Sequence, residues 1–228
     1  LVPLSEIPLH VRQATIAIED ASFYSHSGVS IKGIVRAMVR NTSRSELAGG
    51  STITQQLVKN ALLSPEKTIS RKFKEILLAV QVELAFSKDQ ILEMYLNEVG
   101  YGGAAYGIEE ASQLYFGKPA RGLTLAEGAL IAGLPQAPTT YSPFGTNPQF
   151  ARTRQLEVLA RMVHEGYITQ RELETAASEQ LVFAPQKTDI KAPHFVMYVK
   201  QLLAQIYGER MVEEGGLEVT TSLDLTVQ

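Results

Sequence analysis

At several places in this chain a Ser or Thr stands three residues before a Glu or Gln, and three of these pairs are read as helix starts, each followed by a stretch with helical apolar spacing. These three are Thr52 with Gln55, Ser87 with Gln90, and Thr124 with Glu127. Hydroxyl and amide or carboxyl can then cap each other's backbone N–H, which marks a helix start. The predicted helices run from Thr52 to about Leu62, from Ser87 to Asn97, and from Thr124 to Gly133. Residues 8–22, with Leu9, Val11, Ile16 and Ile18, predict a further helix leading into a turn at Ser25–Gly28. Residues 31–43 predict another, and Ser64 with Pro65 opens one that runs to about Phe86. A Gly-rich loop through Gly107 and a Pro-punctuated loop at 134–148 break the pattern. Helical periodicity resumes at 149–180, and the alternation Leu217, Val219, Thr221, Leu223, Leu225 predicts a strand. The chain is mostly α, one domain with two lobes.

With 228 residues, 45% of them apolar and 20% charged, the chain can bury a sizeable core and is not of disordered composition. No apolar run approaches the roughly 20 residues that span a bilayer. Leu1 in place of Met, with no signal-peptide pattern, gives the expectation of a segment whose targeting or anchoring part lies elsewhere. The lack of Cys excludes disulfides and thiolate metal sites but does not decide the compartment.

The net charge of −3 conceals an asymmetry. Residues 31–74 carry nine Lys and Arg against Glu46 and Glu66, while the rest holds 12 basic and 22 acidic residues. One basic block in an acidic protein points to an anionic partner at one place and argues against a general nucleic-acid binder.

Four patterns could carry chemistry. In Glu19-Asp20-x-x-Phe23-x-x-His26-x-Gly28, adjacent carboxylates at a helix end could present one acid into a cleft, where apolar surroundings raise its pKa. The same pattern suits a solvated acidic helix end with His26 capping a turn. In Gly49-Gly50-Ser51-Thr52-Ile53-Thr54-Gln55-Gln56-Leu57-x-Lys59-Asn60, the residues Thr52, Gln56, Lys59 and Asn60 share one helix side. Glycines leading into a helix N-terminus, with a Lys beyond, suit an oxyanion or phosphate; a capped amphipathic helix with a wet polar face fits as well. In Arg71-Lys72-x-x-Glu75, Arg71 could bind phosphate while Glu75 orients it, or the two form a surface ion pair, with Phe73, Leu77, Val80 and Leu84 on the apolar side. Last, Lys32, Arg36, Arg40 and Arg44 alternate with Ile31, Ile34, Val35, Met38 and Val39. That helix could rest on an anionic lipid surface or pack on a core with its basic face in water.

Together and in this order these motifs resemble the glycosyltransferase domain of class A penicillin-binding proteins and their monofunctional relatives. The resemblance extends through Ile91-Leu92-Glu93-x-Tyr95-Leu96-Asn97, Tyr106-Gly107-Ile108-Glu109, Tyr115-Phe116-Gly117-Lys118, Leu125-Ala126-Glu127-Gly128-Ala129 and Pro138-x-x-Tyr141-Ser142-Pro143, and covers roughly Val2 to Ala177. It implies a mostly α, lysozyme-like helical domain over 1–182, with a second, smaller membrane-facing lobe. Residues 183–228 would then lead into a transpeptidase domain, as the run Gly216–Asp224 also suggests.

The activity implied is that of a peptidoglycan glycosyltransferase, a hexosyltransferase that polymerises lipid II into β-1,4-linked strands with inversion and releases undecaprenyl pyrophosphate. By the resemblance, Glu19 is the base and Glu75 the second catalytic carboxylate. Asp20, Phe23, His26, Thr52, Gln56, Lys59, Asn60, Lys67 and Arg71 bind substrate, and Ile31, Ile34, Val35, Met38 and Val39 face the membrane. No cofactor is required, a divalent cation such as Mg2+ is optional, and no metal-ligand cluster shows in the sequence. The implied partners are lipid II, the undecaprenyl-pyrophosphate-linked glycan, the membrane surface and other cell-wall synthesis proteins. The implied place is the periplasmic or extracellular side of the bacterial inner membrane. A lysozyme-like hydrolase also uses a cleft Glu, but it has no need of a pyrophosphate-binding Lys and Arg set. A non-catalytic binder of lipid-linked sugars is the third reading.

Overall fold

The computed structural model describes residues 1–30, 50–63, 68–103, 105–185, 192–208, 211–212 and 217–223. The expected helix at 31–43, the membrane-facing residues Ile31, Ile34, Val35, Met38 and Val39, and Lys67 lie outside the described residues. The chain divides into two compact units, Leu1–Ala184 and Pro185–Gln228.

In the first unit the helices are α1 (Leu9–Glu19), α2 (Ile53–Leu62), α3 (Ile69–Ala85), α4 (Lys88–Glu98), α5 (Ile108–Phe116), α6 (Leu125–Gly133), α7 (Pro138–Tyr141), α8 (Gln149–His164) and α9 (Gln170–Ser178). A small antiparallel hairpin, β1 (Gly100–Gly102) with β2 (Ala105–Tyr106), falls within the expected Gly-rich loop. The unit is mostly helical, as expected from the sequence. All three predicted capping boxes are present, at the starts of α2, α4 and α6.

The centre is α6, whose residues from Ala126 to Gly133 are all buried. A helix apolar on every side belongs inside a protein. Helices α1 and α8 pack against it and against each other. Ala14 and Ala17 of α1 share a buried cluster with Ala126, Ala129 and Ala132 of α6. The approach is close: a Cβ added at Gly128 would stand 2.8 Å from Val11 Cγ2. On the other side, α2 packs against α3 and α4. Ile53 and Leu57 enter the same apolar core as Ile91, Leu92, Tyr95 and Leu96.

Several sequence expectations are corrected. Helix α3 is capped by Thr68, whose extended backbone (φ −117°, ψ 155°) rules out a helix continuing through it from Ser64 and Pro65. Its buried residues are Glu75 and Ala79, while Phe73, Leu77, Val80 and Leu84, the apolar side of the sequence pattern, are exposed. The periodic run at 149–180 is two helices, because Gly166 takes φ +74° and the N–H of Tyr167 turns back onto the Met162 carbonyl. In the second unit, α10 (Pro193–Tyr207) went unforeseen. Residues 217–223, expected as a strand, form none among the described residues. Alternation gives a chain the faces of a strand, but a strand exists only with a partner to take its backbone hydrogen bonds. No described helix is long and apolar enough to cross a membrane.

Candidate active site

Glu19 is the last residue of α1. At Asp20 the chain leaves helical geometry (φ −159°, ψ 75°), so the two neighbouring carboxylates diverge. Asp20 is buried at 7% exposure and fully partnered. Its Oδ2 accepts from His26 Nε2 (2.8 Å) and from the N–H of Ile53 (3.1 Å), and its Oδ1 accepts from Ser22 Oγ (3.4 Å). His26 Nδ1 in turn accepts from the N–H of Gly28 (3.1 Å), which leaves the ring proton on Nε2, facing Asp20. Asp20 thus ties the turn after α1 to the N-terminus of α2, where a negative charge is favoured.

Glu19 is treated differently. Its Oε2 accepts from Gln56 Nε2 at 2.7 Å, while Oε1 is screened from solvent and has no partner among the described residues. Burial pushes its carboxyl above the ordinary value. The Gln56 hydrogen bond and the charges of Arg154 and Lys59 oppose that rise, and Asp20 adds to it. Such a carboxyl is a stronger base than a solvated one and remains open to a proton on one oxygen. Gln56 is itself held, its Oε1 accepting from the hydroxyl of Tyr95 at 3.2 Å.

A second carboxylate, Glu75, is 2% exposed and lies between Arg71 Nη1 (3.3 Å) and Lys72 Nζ. Lys72 also donates to Ser51 Oγ at 2.9 Å. The two carboxylate groups therefore meet around the start of α2: Ser51 is bound to the Lys72–Glu75 pair, Ile53 to Asp20, and Gln56 to Glu19. Thr52 caps the helix between them and donates from Oγ1 to the Gly28 carbonyl at 2.7 Å.

The glycine-led N-terminus of α2 is not, in this form, an open anion cradle. The N–H of Ile53 goes to Asp20 and that of Gln55 to Thr52 Oγ1. Positive charge for an anionic group comes instead from side chains, with Lys59 exposed on α2 and Arg71 and Lys72 partly exposed on α3.

Of the expected site residues, the structure links Glu19 with Gln56; Asp20 with His26; Thr52 with Gly28; and Arg71 with Glu75. Lys59 lies near enough to Glu19 to act on its carboxyl, and Asn60 is half-buried beside it. Phe23 is a core residue, 0% exposed, with Lys88 Nζ 4.5 Å from its ring centroid. Its part is to set the turn that carries Asp20 and His26. Sequence reasoning missed Tyr95, Lys72 and Arg154. Tyr95 sits among apolar neighbours and reads as packing, and Arg154 lies 135 positions beyond Glu19, where no local spacing could join them. Lys72 is the exception, since it stands three residues before Glu75, a spacing that puts both on one helix face. Among the described residues no group of three or more His, Asp and Glu is arranged to hold a metal ion, and both Asp20 and Glu75 are already paired.

A family model described as Transglycosylase matches residues 1–163. The chain is 42% identical over 228 residues to penicillin-binding protein 1A of Aquifex aeolicus, covering 100% of this chain and 31% of that protein. It is 45% identical over 223 residues to penicillin-binding protein 1A of Neisseria lactamica, covering 96% of this chain and 28% of that one. The chain thus spans about a third of the length of the curated relatives it matches. Among solved structures, penicillin-binding protein 1A from Haemophilus influenzae is similar with a TM-score of 0.51 and 25% identity, over 92% of this chain and 22% of that one. With the family match covering most of its length, the chain belongs to the transglycosylase family, whose members in class A penicillin-binding proteins are peptidoglycan glycosyltransferases.

Proposed function

We propose that the chain polymerises lipid II, joining the 4-hydroxyl of an acceptor sugar to the anomeric carbon of a glycan held on undecaprenyl pyrophosphate. Glu19 takes the proton of the acceptor hydroxyl. The acceptor oxygen bonds to the donor C1 from the face opposite the leaving group, which inverts that centre and gives a β-1,4 linkage. The C1–O bond to phosphate breaks, and the pyrophosphate leaves with the electron pair. A base for this step must be poised near the working pH, and a leaving diphosphate needs cations close by.

The observation that carries the reading is the Glu19 carboxyl: screened from solvent, bound through one oxygen to Gln56, with the other oxygen unpartnered among the described residues. Lys59, Arg71 and Lys72 are the cations for the diphosphate, and Glu75 holds Arg71 and Lys72 in place for it. Asp20, His26 and Thr52 shape the cleft by fixing the turn against α2. A divalent cation such as Mg2+ is optional on this reading, and no step is routed through it. The lipid tails of both substrates require the cleft to open at the bilayer. The basic and apolar sequence of 31–44 suits that contact, on the outer side of the inner membrane, where other cell-wall synthesis proteins are further partners.

Incubating the chain with lipid II tests the reading: formation of glycan polymer is expected. Shortening of finished peptidoglycan, without polymer from lipid II, would make it a hydrolase instead.

A further inference from the structure

Tyr95 is 0% exposed in α4, among Ile91, Leu92 and Leu96, each also 0% exposed. A phenylalanine would pack there equally well, so the hydroxyl calls for a reason. Its hydrogen-bond partner among the described residues is Gln56 Oε1, at 3.2 Å. Gln56 Nε2 continues the chain to Glu19 Oε2 at 2.7 Å. Three elements, α1, α2 and α4, thus meet in one line of hydrogen bonds.

The direction of that line is fixed by chemistry. An ionised carboxylate only accepts, so Gln56 must turn its NH2 towards Glu19 and its carbonyl towards Tyr95, and the phenol must donate. A protonated Glu19 could support the reverse arrangement. The carboxylic O–H would donate to Gln56 Oε1, and Gln56 Nε2 would donate to the phenol oxygen. In that state the Tyr95 proton has no acceptor among the described residues, and a buried donor without an acceptor is penalised.

We propose that Tyr95 is a positioning residue for the base: its hydroxyl locks the Gln56 amide in the orientation that donates to Glu19, and so holds Glu19 in its proton-accepting form. The proposal rests on the reading of Glu19 as base and deepens it. Tyr95 itself, being fully enclosed, does not touch substrate. Burial and the nearby Glu19 push its own pKa well above the ordinary phenol value, so it remains a donor wherever Glu19 titrates.

The test compares wild type, Tyr95→Phe, Gln56→Met and the double variant, with melting curves to show that each is folded. Two quantities are read. One is the titration of Glu19, followed by 13C NMR of labelled glutamate carboxyls and assigned by the signal lost in Glu19→Gln. The other is the acid limb of the pH profile for lipid II polymerisation. Tyr95→Phe is expected to move both upward by roughly half to one pH unit, with the rate recovering above the limb. In the Gln56→Met background it is expected to move neither further. An unmoved titration in folded Tyr95→Phe overturns the proposal, as does a shift of the same size without Gln56. If wild type makes no polymer while Tyr95→Phe still moves the Glu19 titration, the base reading fails and the positioning by Tyr95 stands.

Discussion

Glu19 destabilises its own surroundings whenever it is ionised, because burial raises its carboxyl above the ordinary value of 4.5. With the folded pKa above the unfolded one, the native state binds more protons between the two values. Stability therefore falls as pH rises through that window and stays lowered above it. Glu19→Gln is expected to raise Tm by a few degrees at neutral pH. The gain should vanish as the pH is taken below about 4.5. Melting curves across that range check this, and an unchanged Tm at neutral pH would contradict the burial argument. Lys59 is exposed, and its removal should act on the substrate rather than on the fold, whereas removal of Arg71 also takes one of two cationic partners from the buried Glu75. Lys59→Ala and Arg71→Ala are each expected to lower polymerisation by about 10- to 100-fold through loss of a charge-assisted contact of roughly 1.5–3 kcal/mol. Activity equal to the parent in both variants would argue against a pyrophosphate held there.

Among elements, the join between the turn after α1 and the faces of α2 and α3 matters most. Gly28 has φ +87°, and an added Cβ would stand 2.9 Å from the Ala79 carbonyl oxygen of α3. Its own carbonyl accepts from Thr52. Gly28→Ala is expected to destabilise by about 1–3 kcal/mol and to lower activity, since Thr52 and His26 both depend on that backbone. Thr52→Ala removes the cap of α2 and is expected to cost about 0.5–2 kcal/mol, read from chemical denaturation. The caps were legible in the sequence because a capping box is local, with partners three residues apart. The Glu19-Asp20 and Arg71–Glu75 patterns were legible for the same reason. Apart from Lys72, what escaped was long-range or lacked a periodic signal. The bond from Gln56 to Tyr95 spans 39 positions. The turning of α3 puts its charged side inward because Glu75 is satisfied there by Arg71 and Lys72, a preference that hydrophobic patterning reads the wrong way round. The tail at 217–223 has the alternation of a strand without a described partner.

For the molecule as a whole, the unit Leu1–Ala184 holds the apolar core and all the site residues discussed. A chain ending at Ala184 is therefore expected to keep the main cooperative melting transition and the helical circular dichroism of that unit. Loss of cooperativity would show that the core needs residues beyond 184. On the proposed reading catalysis, too, belongs to the whole: α1 would supply the base, α2 its amide partner and one cation, and α3 the other cations. The most direct test is to give lipid II to the wild-type chain and to Glu19→Gln side by side, with melting curves confirming that both are folded. Polymer from the first and a loss of at least about 100-fold in the second is the predicted result. Undiminished polymer from folded Glu19→Gln would contradict the claim that this carboxyl takes the acceptor's proton.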